Sequence, residues 1–283
     1  MHILRTPPSL WILLLFSFLG LSSCSGLLYY PTTIKYVNEA ELKHTPAEIF
    51  LKYDEQTELV AWYFEAPKEK RKNFTFVFFH GNGQNISSHF QSLYWILDYG
   101  YNFLIFDYLG YGPNPGQPSP ENTVESGKIA INWVKTNRPH DAIGIFGQSL
   151  GGNVALRTMS ELDNFYSCVS VIESSFLSYQ NIAQAMMRKR WLTWPFQFLP
   201  YLVMSDTKAA ATNLSRLTES NYIIIHSKTD AIVPYNFGVE VFEKLPQKKQ
   251  FWEVDTGYHA DAFFRKTELR EKLTKEIQKN CLN

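Results

Sequence analysis

The amino-acid sequence predicts an α/β domain with a mostly parallel sheet flanked by helices. Three observations predict it. Short apolar runs with strand character recur along the chain, helical stretches lie between them, and the run Ala142-Ile143-Gly144-Ile145-Phe146 leads straight into a glycine-bracketed serine. Strands alternating with helices join through right-handed crossovers into a parallel sheet, and ligands bind in the loops at its carboxyl edge. A chain of 283 residues, 45% apolar and 16% aromatic, suffices for one large domain around a buried core.

The first residues read as a targeting segment. Arg5 precedes the apolar run Leu10 to Leu21, which contains Trp11, Leu13, Phe16 and Phe18. Such a run spans about 18 Å as a helix, too short for a bilayer but right for a signal peptide. Leu21-Ser22-Ser23-Cys24 follows and resembles a bacterial lipobox. The resemblance implies cleavage after residue 23, diacylglycerol on the Cys24 sulfur and acylation of the new amino group, an anchor of two or more chains. It places the protein in the bacterial cell envelope, and Ser25, where an aspartate would signal retention at the inner membrane, favours the outer one. The expected organisation is a signal peptide over 1–23, a membrane tether over 24–45 and the α/β domain over 46–283.

Within the domain, Ala47 to Tyr53 and Leu59 to Glu65 read as a hairpin around Asp54-Glu55-Gln56. Six further strands are expected at Asn73 to Phe79, Tyr101 to Asp107, Ala142 to Phe146, Tyr166 to Ile172, Tyr222 to Ile225 and Phe251 to Val254. Helices are expected at Ser87 to Tyr99, ending at Gly100, and at Ser119 to Thr136, Leu150 to Glu161, Val239 to Leu245 and Thr267 to Gln278. Ser119-Pro120-Glu121 supplies an N-cap serine with proline at the first helical position. The aromatic stretch from Phe176 to about Val203 breaks the alternation, and we read residues 176–205 as a small cap insertion over the active site.

Lys plus Arg and Asp plus Glu both number 27, so no basic field argues for nucleic acid. Besides Cys24 there are only Cys168 and Cys281, which make no zinc spacing and no disulfide framework. Cys168, in an apolar run, reads as a packed free thiol. Neither a metal nor an organic cofactor is expected, and oligomeric state is not legible.

A seryl nucleophile needs a base, an orienting carboxylate and donors for the developing oxyanion. Gly147-Gln148-Ser149-Leu150-Gly151 fits the strand-to-helix nucleophile elbow, with Ser149 as nucleophile. His259 follows the last expected strand and is the candidate base; Asp230 follows the preceding strand and is the candidate acid. Glu173, at another strand end, is the alternative acid, whereas Asp255 and Asp261 are poorly placed to reach the imidazole. His44, His89, His140 and His226 read as ordinary surface or core histidines.

Phe79-His80-Gly81-Asn82-Gly83, Asp107-Tyr108-Leu109-Gly110-Tyr111-Gly112, the serine elbow and the Asp230 segment ending at Pro234 occur in order between the strands. Over residues 47 to 280 the chain thereby resembles the α/β-hydrolase superfamily, closest to its small esterase and acyl-thioesterase branch. The resemblance implies that the Asn82 and Leu150 amides form the oxyanion hole, with His80 and Gly81 supporting the oxyanion loop. It implies an acyl ester or thioester substrate cleaved through an acyl-enzyme on Ser149. Two positions depart from the pattern: Ser227 replaces a usual glycine, and Tyr258 replaces a small residue and is expected to narrow the pocket. Peptidase or acyltransferase chemistry on the same residues, or a non-catalytic envelope lipoprotein, are the alternatives.

Overall fold

The computed structural model describes residues 28–246 and 248–282, so the expected signal peptide and Cys24 lie outside it. Strands β1 (Tyr30–Pro31), β2 (Ala47–Lys52), β3 (Glu58–Phe64), β4 (Phe74–Phe79), β5 (Gly83–Gln84) and β6 (Asn102–Phe106) are followed by β7 (Ala142–Gln148), β8 (Val169–Glu173), β9 (Tyr222–Ser227) and β10 (Lys249–Val254). Eight of them form one sheet in the order β10-β9-β8-β7-β4-β6-β3-β2. The pairs from β10 to β6 are parallel, and β3 and β2 close the edge antiparallel. The expected α/β-hydrolase sheet of eight mostly parallel strands is therefore the observed one.

The central strands are buried on both faces, as parallel strands covered by helices must be. In β4 the side chains alternate: Val77 and Phe79 enter one core layer, Phe74, Phe76 and Phe78 the other. Helices α1 (Ile86–His89), α2 (Gln91–Tyr94), α3 (Pro120–Asn137), α4 (Leu150–Glu161), α5 (Tyr179–Arg188), α6 (Pro200–Val203), α7 (Tyr235–Lys244), α8 (Ala262–Arg265) and α9 (Glu268–Cys281) connect and cover the strands. Ser119 and Asn122 form a reciprocal capping box at the start of α3. The expected helix over 87–99 is instead α1, α2 and a 3₁₀ turn at Trp95–Tyr99, ending at left-handed Gly100.

Two expectations are corrected. The segment read as a tether does not stand off the domain over residues 28–45. Leu28 and Tyr29 are buried in the core, β1 pairs with β5, and Asn85 Nδ2 donates to the Thr32 and Ile34 carbonyls at 2.8 Å each. Mixed polarity made it resemble a linker, but its backbone is bonded and its two apolar side chains each contribute about 2 kcal/mol by burial. Cys168 is not a free thiol either: it forms a disulfide with Cys281. The link joins the end of α9 to the start of β8, a proximity that 113 residues of separation conceal.

Candidate active site

Ser149, Asp230, His259 and Asn82 each sit beyond the carboxyl end of a strand. β7 ends at Gln148 and α4 starts at Leu150, leaving Ser149 alone in the turn with φ 55° and ψ −120°. For a side-chain-bearing residue that backbone costs about 1–3 kcal/mol and survives only where neighbours impose it. They do: the Ser149 amide donates to the Glu173 carbonyl at 2.8 Å, and Ser175 Oγ donates to the Ser149 carbonyl at 2.7 Å. The turn is also too tight for side chains beside it. A Cβ on Gly147 would stand 2.7 Å from the Gly152 Cα, and one on Gly151 would stand 2.1 Å from the Phe79 carbonyl oxygen.

His259, beyond β10, places Nε2 2.8 Å from Ser149 Oγ and Nδ1 2.8 Å from Asp230 Oδ2. Because the carboxylate can only accept, Nδ1 carries the proton, and Nε2 is free to accept the seryl hydrogen. Asp230 Oδ1 accepts from the Ile232 and Val233 amides, each at 2.9 Å. Burial pushes this carboxyl up, but the His259 bond and charge and the two amides outweigh it and hold it below its ordinary range. It is therefore ionised, buried and aimed at the imidazole.

Asn82 and Leu150 line the same cleft as Ser149. The Leu150 amide, first in α4, has no partner four residues back and lies at the positive end of the helix. The Asn82 carbonyl accepts from the Tyr30 amide at 2.9 Å and the Tyr111 hydroxyl at 2.7 Å, while the Gly81 carbonyl, which shares a peptide with the Asn82 N–H, pairs with His80. His80 is fully buried, donates from Nδ1 to the Gly81 carbonyl at 2.8 Å, and has its Nε2 3.5 Å from Asp107 Oδ1. Burial drives His80 well below its ordinary value and Asp107 up to about 8, so both favour neutral forms beneath the loop at Gly81–Gly83. Gly81 adjoins Ser149, since a Cβ added to it would stand 3.7 Å from the Ser149 Cβ, and His80 is buried behind it without a bond to His259.

Glu173 does not reach His259. It is buried and accepts from the Ala262 amide at 2.8 Å and from Gln148 Nε2 at 3.1 Å, while Gln148 Nε2 also donates to the Ala260 carbonyl at 2.8 Å. These bonds, with the Ala260 amide donating to Ser174 Oγ at 3.2 Å, hold Ala260 and Ala262, one and three residues after His259. Sequence reading missed Gln148, Ser174 and Ser175 in this role; their positions beside strand ends were the available signal. His89, read as ordinary, stacks on His80 and lines the cleft. Ser227 Oγ accepts from the Thr229 and Thr256 amides, joining the two loops that carry Asp230 and His259. Tyr258 is exposed with the Arg265 guanidinium over its ring, so it does not narrow the pocket.

Two clefts meet at Ser149. One, of about 280 Å³, is walled by Asn82, Ser88, His89, Gln148, His259 and Phe264 among others, with no carboxylate in its lining. The other, of about 60 Å³, is apolar and lined by Leu28, Phe176, Ile182, Met186, Ile232 and Val233. Part of the expected cap therefore reaches the site, through Phe176 and α5. Its aromatic remainder, Trp191 to Tyr201, is exposed and does not line either cleft.

Residues 70–221 match the family model described as serine aminopeptidase, S33. The chain belongs to this family. The matched span of this S33 member includes Asn82 and Ser149 but ends before Asp230 and His259, whose placement rests on the geometry above. It is 28% identical over 251 residues to the uncharacterized protein YfhR of Salmonella typhimurium, covering 83% of this chain and 80% of that one. Lysophosphatidylserine lipase ABHD12 of Xenopus tropicalis is 25% identical over 248 residues, 81% of this chain and 63% of the lipase. An esterase from Pyrococcus furiosus superposes with a TM-score of 0.70 over 90% of this chain and 98% of that one, at 18% identity, a likeness of fold. The S33 chain is thus an α/β-hydrolase and a serine hydrolase.

Proposed function

We propose that this chain cleaves carboxylic esters or thioesters through an acyl-enzyme on Ser149. The supporting observation is the unbroken path from Ser149 Oγ through the imidazole to Asp230, with both links at 2.8 Å. In this reading Oγ attacks the acyl carbon as its proton passes to His259 Nε2, and Asp230 stabilises the resulting imidazolium. The Asn82 and Leu150 amides receive the negative charge on the carbonyl oxygen. The leaving alcohol or thiol takes the proton from Nε2, and a water activated by the same nitrogen releases the acid.

The apolar cleft suits an acyl group and the polar one a leaving group. The lipid-ester activity in the name of the ABHD12 relative agrees with that division. The family's description favours a second reading, aminopeptidase activity. An aminopeptidase must bind a substrate ammonium, and neither cleft at Ser149 offers a carboxylate. The S149A protein should hydrolyse a p-nitrophenyl acyl ester roughly 10⁴-fold or more slowly than wild type and take no fluorophosphonate label. An unchanged rate would refute the assignment, and hydrolysis of aminoacyl anilides in preference to esters would favour the peptidase.

We further propose export and lipid anchoring at Cys24, which puts the domain at the outer membrane of the cell envelope. The Cys168–Cys281 disulfide supports export, because such links persist in oxidising compartments and are rare in the cytosol. Labelling of wild type but not of a Cys24→Ser protein by a clickable fatty acid would support the anchor.

A further inference from the structure

The residues after α5 place apolar and aromatic side chains in solvent. Trp191 is 87% exposed, Leu202 73% and Leu192 66%, and Trp194, Phe196, Phe198, Tyr201 and Val203 are also exposed. A run of this kind on a folded domain marks a surface that is covered in use. Its composition indicates what covers it. Tryptophan and tyrosine favour the boundary between hydrocarbon and water, phenylalanine and leucine favour the hydrocarbon, and flanking cations favour anionic headgroups.

All three occur in this one stretch. Arg188 and Arg190 are exposed immediately before Trp191, and no acidic residue occurs between Glu173 and Asp206. The Lys189 ammonium donates to the Ala231 carbonyl at 2.6 Å, which ties the stretch to the loop following Asp230. A protein partner burying this area would need matching backbone or acidic groups; a bilayer with anionic lipids needs only what the stretch displays.

The path of the chain gives a second, independent line. Leu28, the first described residue, shares one cavity with Tyr179, Met204 and Ser205 and another with Ile182 and Met186. The N-terminal end of the domain therefore lies against the two ends of the aromatic insertion. Leu28 is the fourth residue after Cys24, a reach of at most about 14 Å. An acyl anchor at Cys24 would enter the same membrane face that the aromatic side chains meet.

We infer that residues 191–203 form a membrane-insertion surface that seats in the headgroup boundary of an anionic bilayer and turns the Ser149 clefts toward lipid. The apolar cleft is bounded by Leu28 and by Ile182 and Met186 of α5, so it lies between the anchor side and the inserted side. A lipid acyl chain rising slightly out of the bilayer would meet Ser149 without crossing water. The N-terminal line of argument rests on the anchoring proposed above; the exposed side chains do not.

The test uses the full chain with phosphatidylglycerol-containing vesicles whose acyl chains are brominated. With Trp11 of the N-terminal apolar run replaced by phenylalanine in both proteins, bromine should quench wild-type tryptophan emission, and the W191F/W194F protein should lose most of that quenching, since Trp62, Trp95 and Trp252 are buried and Trp133 is packed against the core. This readout requires neither activity at Ser149 nor acylation at Cys24, so it stands if those readings fail. An L192D/L202D protein should hydrolyse a vesicle-embedded ester roughly tenfold more slowly than wild type while keeping its rate on a short monomeric ester. Equal quenching of wild type and W191F/W194F would overturn the inference. So would a dimer in solution that the L192D/L202D change dissolves, with no quenching by lipid, because the occupant would then be a second copy.

Discussion

Ser149, His259 and Asp230 supply the reacting groups, but several less obvious side chains decide whether those groups meet. The Tyr111 hydroxyl donates to the Asn82 carbonyl at 2.7 Å and so limits how far Asn82, proposed to donate its amide to the oxyanion, can move. Y111F should lower kcat about tenfold with KM little changed and cost about 1 kcal/mol of stability. A KM effect alone would argue against an oxyanion-loop role. Glu173 offers a pH test. Burial raises its carboxyl from 4.5 to about 7, while the Ala262 amide and Gln148 lower it by less. The folded chain thus holds a proton that the unfolded chain releases. That stability is fully present below pH 4.5 and lost as pH rises through about 7. E173Q should remove this component, on the order of 3 kcal/mol, and flatten urea-unfolding free energy between pH 4.5 and 8. Identical slopes in the two proteins would sink the assignment. Asp230 has the opposite sign: its folded value is depressed, so its contribution is present above 3.8 and lost as pH falls below that.

At the level of elements, the elbow is set by close backbone approach as much as by its serine. Gly151 packs against the carbonyls of Phe79 and His80, at the end of the neighbouring strand β4. A methyl there meets backbone that cannot rotate away. G151A should lower unfolding free energy by about 3 kcal/mol and abolish fluorophosphonate labelling; a wild-type urea midpoint would contradict the packing argument. The eight strands of the main sheet are legible nearly to their ends because most are compact apolar runs, whereas β1 and β5, two residues each, carry no such pattern. Helices were read less well where tertiary contacts cut them: the expected helix over 87–99 breaks into short turns. In its first turn the Ile86 amide turns to Asp107, while Trp95 leaves the run to stack on Phe263. The aromatic insertion was legible as an interruption, but its outward direction was not, since composition does not say which face a segment presents.

Across the whole molecule, two long-range closures hold the site's frame. Residues 30–36 run along the loop at Asn82–Ser87, with the Tyr30 amide donating to the Asn82 carbonyl and the Tyr36 amide to Ser87 Oγ at 3.0 Å, and the disulfide ties the last helix to the sheet. C281S should cost on the order of 4 kcal/mol, read as a lower urea midpoint in the oxidised wild type's buffer, with reductant lowering the wild type to the same value. No shift on reduction would exclude the link. The sequence by itself determined the order of strands and helices, the α/β class and the residue types able to carry nucleophilic chemistry, because these depend on local periodicity and on motifs within a few residues. Only the tertiary structure decided that Asp230 rather than Glu173 faces His259, that Cys168 meets Cys281, and that residues 28–36 pack on the domain. Those are pairings across tens of residues, and their energies depend on which loops the sheet brings to one edge, information that no local pattern carries.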